Sequence, residues 1–73
     1  MITKEEVIEI NKKFNRGVLI NEGNLDFALS KLKLKKNTIN KVSGFIKDVV
    51  EGHPFRDGNK RTAIISGLEL LKR

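Results

Sequence analysis

Residues 39–50 constrain the fold more than any other stretch. Ile39, Val42, Ile46, Val49 and Val50 recur every three or four positions, Phe45 widens the stripe, and the run stops at Gly52 with Pro54 just beyond. Apolar residues at that spacing share one face of an α-helix. Glycine suits the residue that ends a helix, and proline resists its continuation. The predicted helix covers 38–51, with Asn37 or Thr38 as its cap. The chain has no cysteine, so neither a disulfide nor a thiolate metal site can support it. The stripe must therefore be covered by other helices in a chain of 73 residues. That length allows one domain at most, with a stability of roughly 3–5 kcal/mol.

Three further segments read as helices. Thr3 followed by Glu6 has the capping-box spacing, Val7, Ile10 and Phe14 recur at helical intervals with Ile8 beside them, and Gly17 fits the C′ position. This places the first helix at about 4–16. Asn24 would cap a short helix at about 25–33, with Leu25, Ala28, Leu29 and Leu32 on one face. The last helix covers about 59–72, where Ile64, Leu68 and Leu71 share a face with Ala63, Ile65 and Leu70 nearby, and Gly67 offers a close helix contact. Between the first two lies Val18-Leu19-Ile20, an apolar run among turn formers, which leaves room for a short flap at 18–22. The expected class is all-α, a small bundle of about four helices.

The formal net charge is +6. A basic balance suits polyanionic partners, although lysines on solvated helix faces give the same sum. Lys31, Lys33, Lys35 and Lys36 read first as such a helix end, whose dipole favours cations. No apolar run approaches the ~20 residues of a membrane span. The N-terminus carries Glu5 and Glu6 where a signal peptide would be apolar. These features lead us to expect a soluble, cytoplasmic protein.

The chemistry is concentrated in His53-Pro54-Phe55-Arg56-Asp57-Gly58-Asn59-Lys60-Arg61. Histidine exchanges a proton near neutral pH. Asp57 offers a hard oxygen, and Mg²⁺ held together with phosphate takes only one or two protein carboxylates. Gly58 lets the backbone turn close to a ligand. The N–H groups of Gly58, Asn59 and Lys60 would then open a helix as an anion nest. Arg61 can grip phosphate oxygens in a bidentate way. Phe55, apolar in a polar loop, reads as an inward anchor. Taken singly each has a plainer reading: a lone histidine after a helix is usually a cap or surface residue, and Asp-Gly is an ordinary turn. In combination they point to a nucleotide phosphate chain.

These nine residues closely resemble the signature of the Fic/Doc superfamily, and Thr62-Ala63 continues the likeness. Asn21-Glu22-Gly23-Asn24-Leu25-Asp26-Phe27-Ala28-Leu29 resembles the entry to the second helix of death-on-curing (Doc) proteins, a weaker match. The resemblance implies a partial Fic/Doc fold in which His53 deprotonates a protein hydroxyl and Asp57 binds Mg²⁺. It further implies that Gly58, Asn59 and Arg61 hold phosphates, that Phe55 packs into the core, and that a flap docks the target chain. ATP is the implied co-substrate.

Lys60 separates the branches. Adenylylating Fic enzymes resemble one another in carrying glycine there and a second arginine where this chain has Ile64. Both departures resemble the Doc branch, toxins of toxin–antitoxin pairs that place the nucleotide in reverse. Their γ-phosphoryl group goes to elongation factor Tu. The Doc signature often has alanine at the position of Gly58, which leaves Fic-type adenylylation open as the alternative. The self-inhibitory pattern of the family (Ser/Thr, three residues, Glu, then Gly/Asn) does not occur, so the resemblance implies an antitoxin in trans. The expected partner is a protein substrate, with no membrane and no nucleic acid. Family domains continue for several helices past this motif, so the resemblance implies a single domain over 1–73, incomplete at its C-terminus. Whether activity survives stays open, with an inactive basic fragment that binds antitoxin or nucleic acid as the third reading.

Overall fold

The computed structural model describes residues 2–33 and 39–73. They form four α-helices, α1 (Lys4–Lys12), α2 (Glu22–Ser30), α3 (Ile39–Gly52) and α4 (Asn59–Lys72), with a 3₁₀ turn at Lys31–Lys33. The fold is all-α, and among the described residues the one β feature is an isolated antiparallel bridge between Leu19 and Phe55. The cap expected at Asn37 or Thr38 and the lysines expected at 35 and 36 lie outside the described residues.

α1 starts as its sequence predicts. Thr3 Oγ1 accepts the N–H of Glu6 at 3.1 Å, and Glu6 Oε1 accepts the N–H of Thr3 at 3.0 Å, a reciprocal capping box. It ends earlier than the expected 4–16, at Lys12, and a turn follows in which the N–H groups of Phe14 and Asn15 both donate to the carbonyl of Asn11, at 3.1 and 2.8 Å. Gly17 does take a left-handed φ of 69°, but at the exit of this turn. Its N–H donates to Asn11 Oδ1 at 2.8 Å. The buried Asn11 side chain thus competes with the helical ladder and draws the chain out of it.

α2 starts earlier than predicted. Asn21, not Asn24, holds the N-cap position, without a side-chain cap. Asn21 Nδ2 instead donates to the carbonyl of His53 at 3.3 Å, and Asn24 Nδ2 to that of Gly52 at 2.7 Å. Both carboxamides latch α2 to the end of α3. Lys4 on α1 pairs with Glu22 and Asp26 on α2, at 2.6 and 2.7 Å.

The core joins Val7 and Ile10 of α1, Leu25, Ala28 and Leu29 of α2, Val42, Phe45 and Val49 of α3, and Ala63 and Leu70 of α4, with Leu32 and Phe55 between elements. Ile39 is 74% exposed, so the predicted stripe of α3 becomes buried only at Val42. Gly67 does permit close packing. A Cβ there would stand 2.5 Å from Ile46 Cδ1 of α3. α4 therefore packs through small residues, Thr62, Ala63, Ser66 and Gly67, together with Leu70, and leaves Ile64, Leu68 and Leu71 exposed.

Candidate active site

Residues 53–58 connect α3 to α4. α3 does not stop before Gly52, as its glycine suggests, but includes it; the left-handed turn falls on His53, with φ 46°. The His53 N–H donates to the carbonyl of Val49 at 3.2 Å. This is the C′ position where glycine is usual, and a histidine there is held in a strained conformation. Pro54 and Phe55 are buried beneath it, so Phe55 is the anchor its composition predicts. The expected flap lies along this loop. Arg56 N–H donates to the carbonyl of Val18 at 2.9 Å, and Ile20 N–H to that of Pro54 at 2.8 Å. Val18 and Ile20 stay exposed.

Two asparagines hold the loop in shape. Asn59 is buried; its Oδ1 accepts the N–H of Phe55 and its Nδ2 donates to the carbonyl of Phe55, both at 2.8 Å. The same Nδ2 lies 3.5 Å from His53 Nδ1. The Asn59 carboxamide is therefore committed to the loop, and what it offers a phosphate is its backbone N–H. Asn11 of α1 reaches across. Its Nδ2 donates to the carbonyl of Asp57 and to Thr62 Oγ1, each at 2.9 Å. Gly58 has φ 75°, and a Cβ on it would lie 2.0 Å from Asn15 Oδ1.

His53, Asp57, Gly58, Asn59, Lys60 and Arg61 line a single cleft of about 780 Å³, together with Phe14, Asn15, Arg56, Ile64 and Ile65. That volume suits a small-molecule ligand. Gly58 is the N-cap of α4 and supplies no side-chain bond, so the N–H groups of the first turn, whose residues line the cleft, have no intrahelical acceptors. Arg56, Lys60 and Arg61 make no ion pair among the described residues. Such a cleft attracts anions through N–H groups and cations without ion pairs together.

The model of the Fic/DOC family matches residues 2–71. The chain belongs to the Fic/DOC family. No curated protein and no solved structure matches it. Membership suggests a Fic-type transferase at the general level. Among the described residues no helix is long and apolar enough to cross a membrane.

The fold gathers the signature residues into one cleft and brings to it residues that the signature omits. Asn11 comes from α1, Phe14 and Asn15 from the turn that follows it, and Asn21 and Asn24 from the N-cap and first turn of α2. Asn11 did leave a trace in the sequence: it is a carboxamide at helical spacing from Val7, next to the apolar stripe. Phe14 left a misleading one, since its spacing assigns it to the core.

Asp57 is the only acid lining the cleft, and its carboxylate makes no hydrogen bond or ion pair among the described residues. One free carboxylate is too little for an all-protein cage. It fits Mg²⁺, which commonly keeps waters and shares itself with phosphate oxygens.

Proposed function

We propose that this Fic/DOC chain is a Doc-like toxin that transfers the γ-phosphoryl group of ATP to a hydroxyl of a protein target. The observation that carries the reading is the first turn of α4, where Lys60 and Arg61 line the same cleft as His53, followed one turn later by the apolar Ile64 in that cleft. Lys60 puts bulk and charge where an adenylylating enzyme leaves space. Ile64 gives no second guanidinium to hold an outer phosphate.

In this reading His53 takes the proton of the target hydroxyl. The freed oxygen attacks the γ-phosphorus, its bond to the β–γ bridging oxygen breaks, and ADP leaves. The first-turn N–H groups, Lys60 and Arg61 hold and orient the inner phosphates, which is most of what phosphoryl transfer asks of a protein. Asp57 would hold Mg²⁺, which when bound neutralises charge on the phosphate oxygens. Asn59 keeps the loop closed beneath His53. In this chain Gly58 has a local reason, because its backbone is left-handed and a Cβ would meet the Asn15 side chain. The target class, a translation factor such as elongation factor Tu, and an antitoxin acting in trans follow from family analogy.

The test uses ATP labelled on the α- or the γ-phosphate, Mg²⁺ and a cell lysate, with His53→Ala as control. Expected is label on protein from the γ position only, lost in His53→Ala. Transfer from the α position would replace the reading with adenylylation, and Lys60→Gly is the variant expected to move the chain in that direction.

A further inference from the structure

We infer that Phe14 is a positioning residue that orients Arg61 for phosphate binding; the inference rests on the proposed nucleotide site. Helical spacing assigns Phe14 to the core, yet the ring is 47% exposed and stands outside the buried cluster. It borders both the nucleotide cleft and a second cleft of about 540 Å³ that contains Arg16, Val18 and Arg56. The Arg61 guanidinium carbon lies 5.0 Å from the centroid of the ring, within cation–π range. No hydrogen bond or ion pair holds Arg61 among the described residues, so the ring is what restrains it.

The geometry is suited to that task. A guanidinium stacked on an aromatic face keeps all its N–H donors free, because they point outward in its own plane. Stacking thus limits the rotamers of a long side chain without using the groups that would meet a phosphate. The Phe14 backbone is anchored, since its N–H donates to the carbonyl of Asn11, whose side chain also holds the carbonyl of Asp57. The backbone that carries the ring and the phosphate loop are therefore fastened to the same residue.

The experiment measures equilibrium binding of Mg²⁺–ATP and of Mg²⁺–inorganic triphosphate to the wild type, Phe14→Leu, Phe14→Trp, Arg61→Gln and the Phe14→Leu/Arg61→Gln double variant. Thermal melts check that each is folded, which the position of the ring outside the core favours. Expected is a loss of about threefold in Phe14→Leu, the same for both ligands, with affinity kept in Phe14→Trp. In the Arg61→Gln background Phe14→Leu should have no further effect, because the partner through which it acts is gone. Additive losses in the double variant would overturn the inference, as would a loss confined to ATP, which would put the ring against the base. A wild type that binds neither ligand would overturn the nucleotide site itself and the inference with it.

Discussion

His53 occupies a backbone conformation that suits glycine better than histidine. Only the imidazole justifies it there, so stability and function should part at this residue. We predict that His53→Gly raises the unfolding free energy by about 1 kcal/mol, measured by urea denaturation, while abolishing protein labelling. Equal or lower stability would mean that the turn carries no strain. Asn11 should behave in the opposite way. Truncation to alanine leaves the N–H of Gly17, the carbonyl of Asp57 and the hydroxyl of Thr62 without their partner. The expected cost is about 2–4 kcal/mol, with ATP affinity falling as the loop loosens. A change within a few tenths of a kcal/mol, at about the noise of such measurements, would deny Asn11 its bracing role.

At the scale of elements, α4 was the most legible in its limits and the least legible in its packing. Its start follows from the Asp57-Gly58 turn, and its predicted span of 59–72 matches the helix. Its apolar spacing does not say which face packs: Gly67 brings α3 so close that small side chains fill the seam, and Ile64, Leu68 and Leu71 are left outside. α1 was legible in its start but not in its end, and α2 as a helix but in neither limit. Asn11, Asn21 and Asn24 bond to distant carbonyls and a distant N–H, which local capping rules do not anticipate. The signature loop was legible as one cluster because its members are adjacent in sequence. What braces it was not, since those contacts come from α1 and α2. The seam itself offers a test. Ser66 is fully buried and its hydroxyl has no hydrogen-bond partner among the described residues. Ser66→Ala removes an unsatisfied group from a helical site and should stabilise the fold by about 1 kcal/mol. A clear loss in a denaturant titration would show that the hydroxyl is bonded after all.

At the scale of the whole molecule, the two ends of the described chain meet. Arg73, at the end of α4, donates to both carboxylate oxygens of Glu6 in α1, with Nη1 to Oε1 at 3.2 Å. The Arg73 bond, and after it the Thr3 N–H, lower the Glu6 carboxyl from its ordinary 4.5 to about 2. The folded state therefore binds this proton less readily than the unfolded chain. The pair's contribution is complete above pH 4.5 and is lost as pH falls through about 2. Glu6→Gln should flatten the pH dependence of the melting temperature in that window and leave its shape at neutral pH unchanged. An identical acid limb in both proteins would show that the pair adds nothing, as is common for exposed ion pairs.

The orientation of the nucleotide decides the chemistry, because the phosphorus next to His53 is the one that would be transferred. The most direct measurement is a crystal structure of the chain with Mg²⁺ and a non-hydrolysable ATP analogue. The predicted result has the γ-phosphate beside the His53 imidazole, the inner phosphates on the first turn of α4 and against Arg61, and Mg²⁺ on Asp57. An α-phosphate beside His53, or a nucleotide bound elsewhere, would contradict γ-phosphoryl transfer.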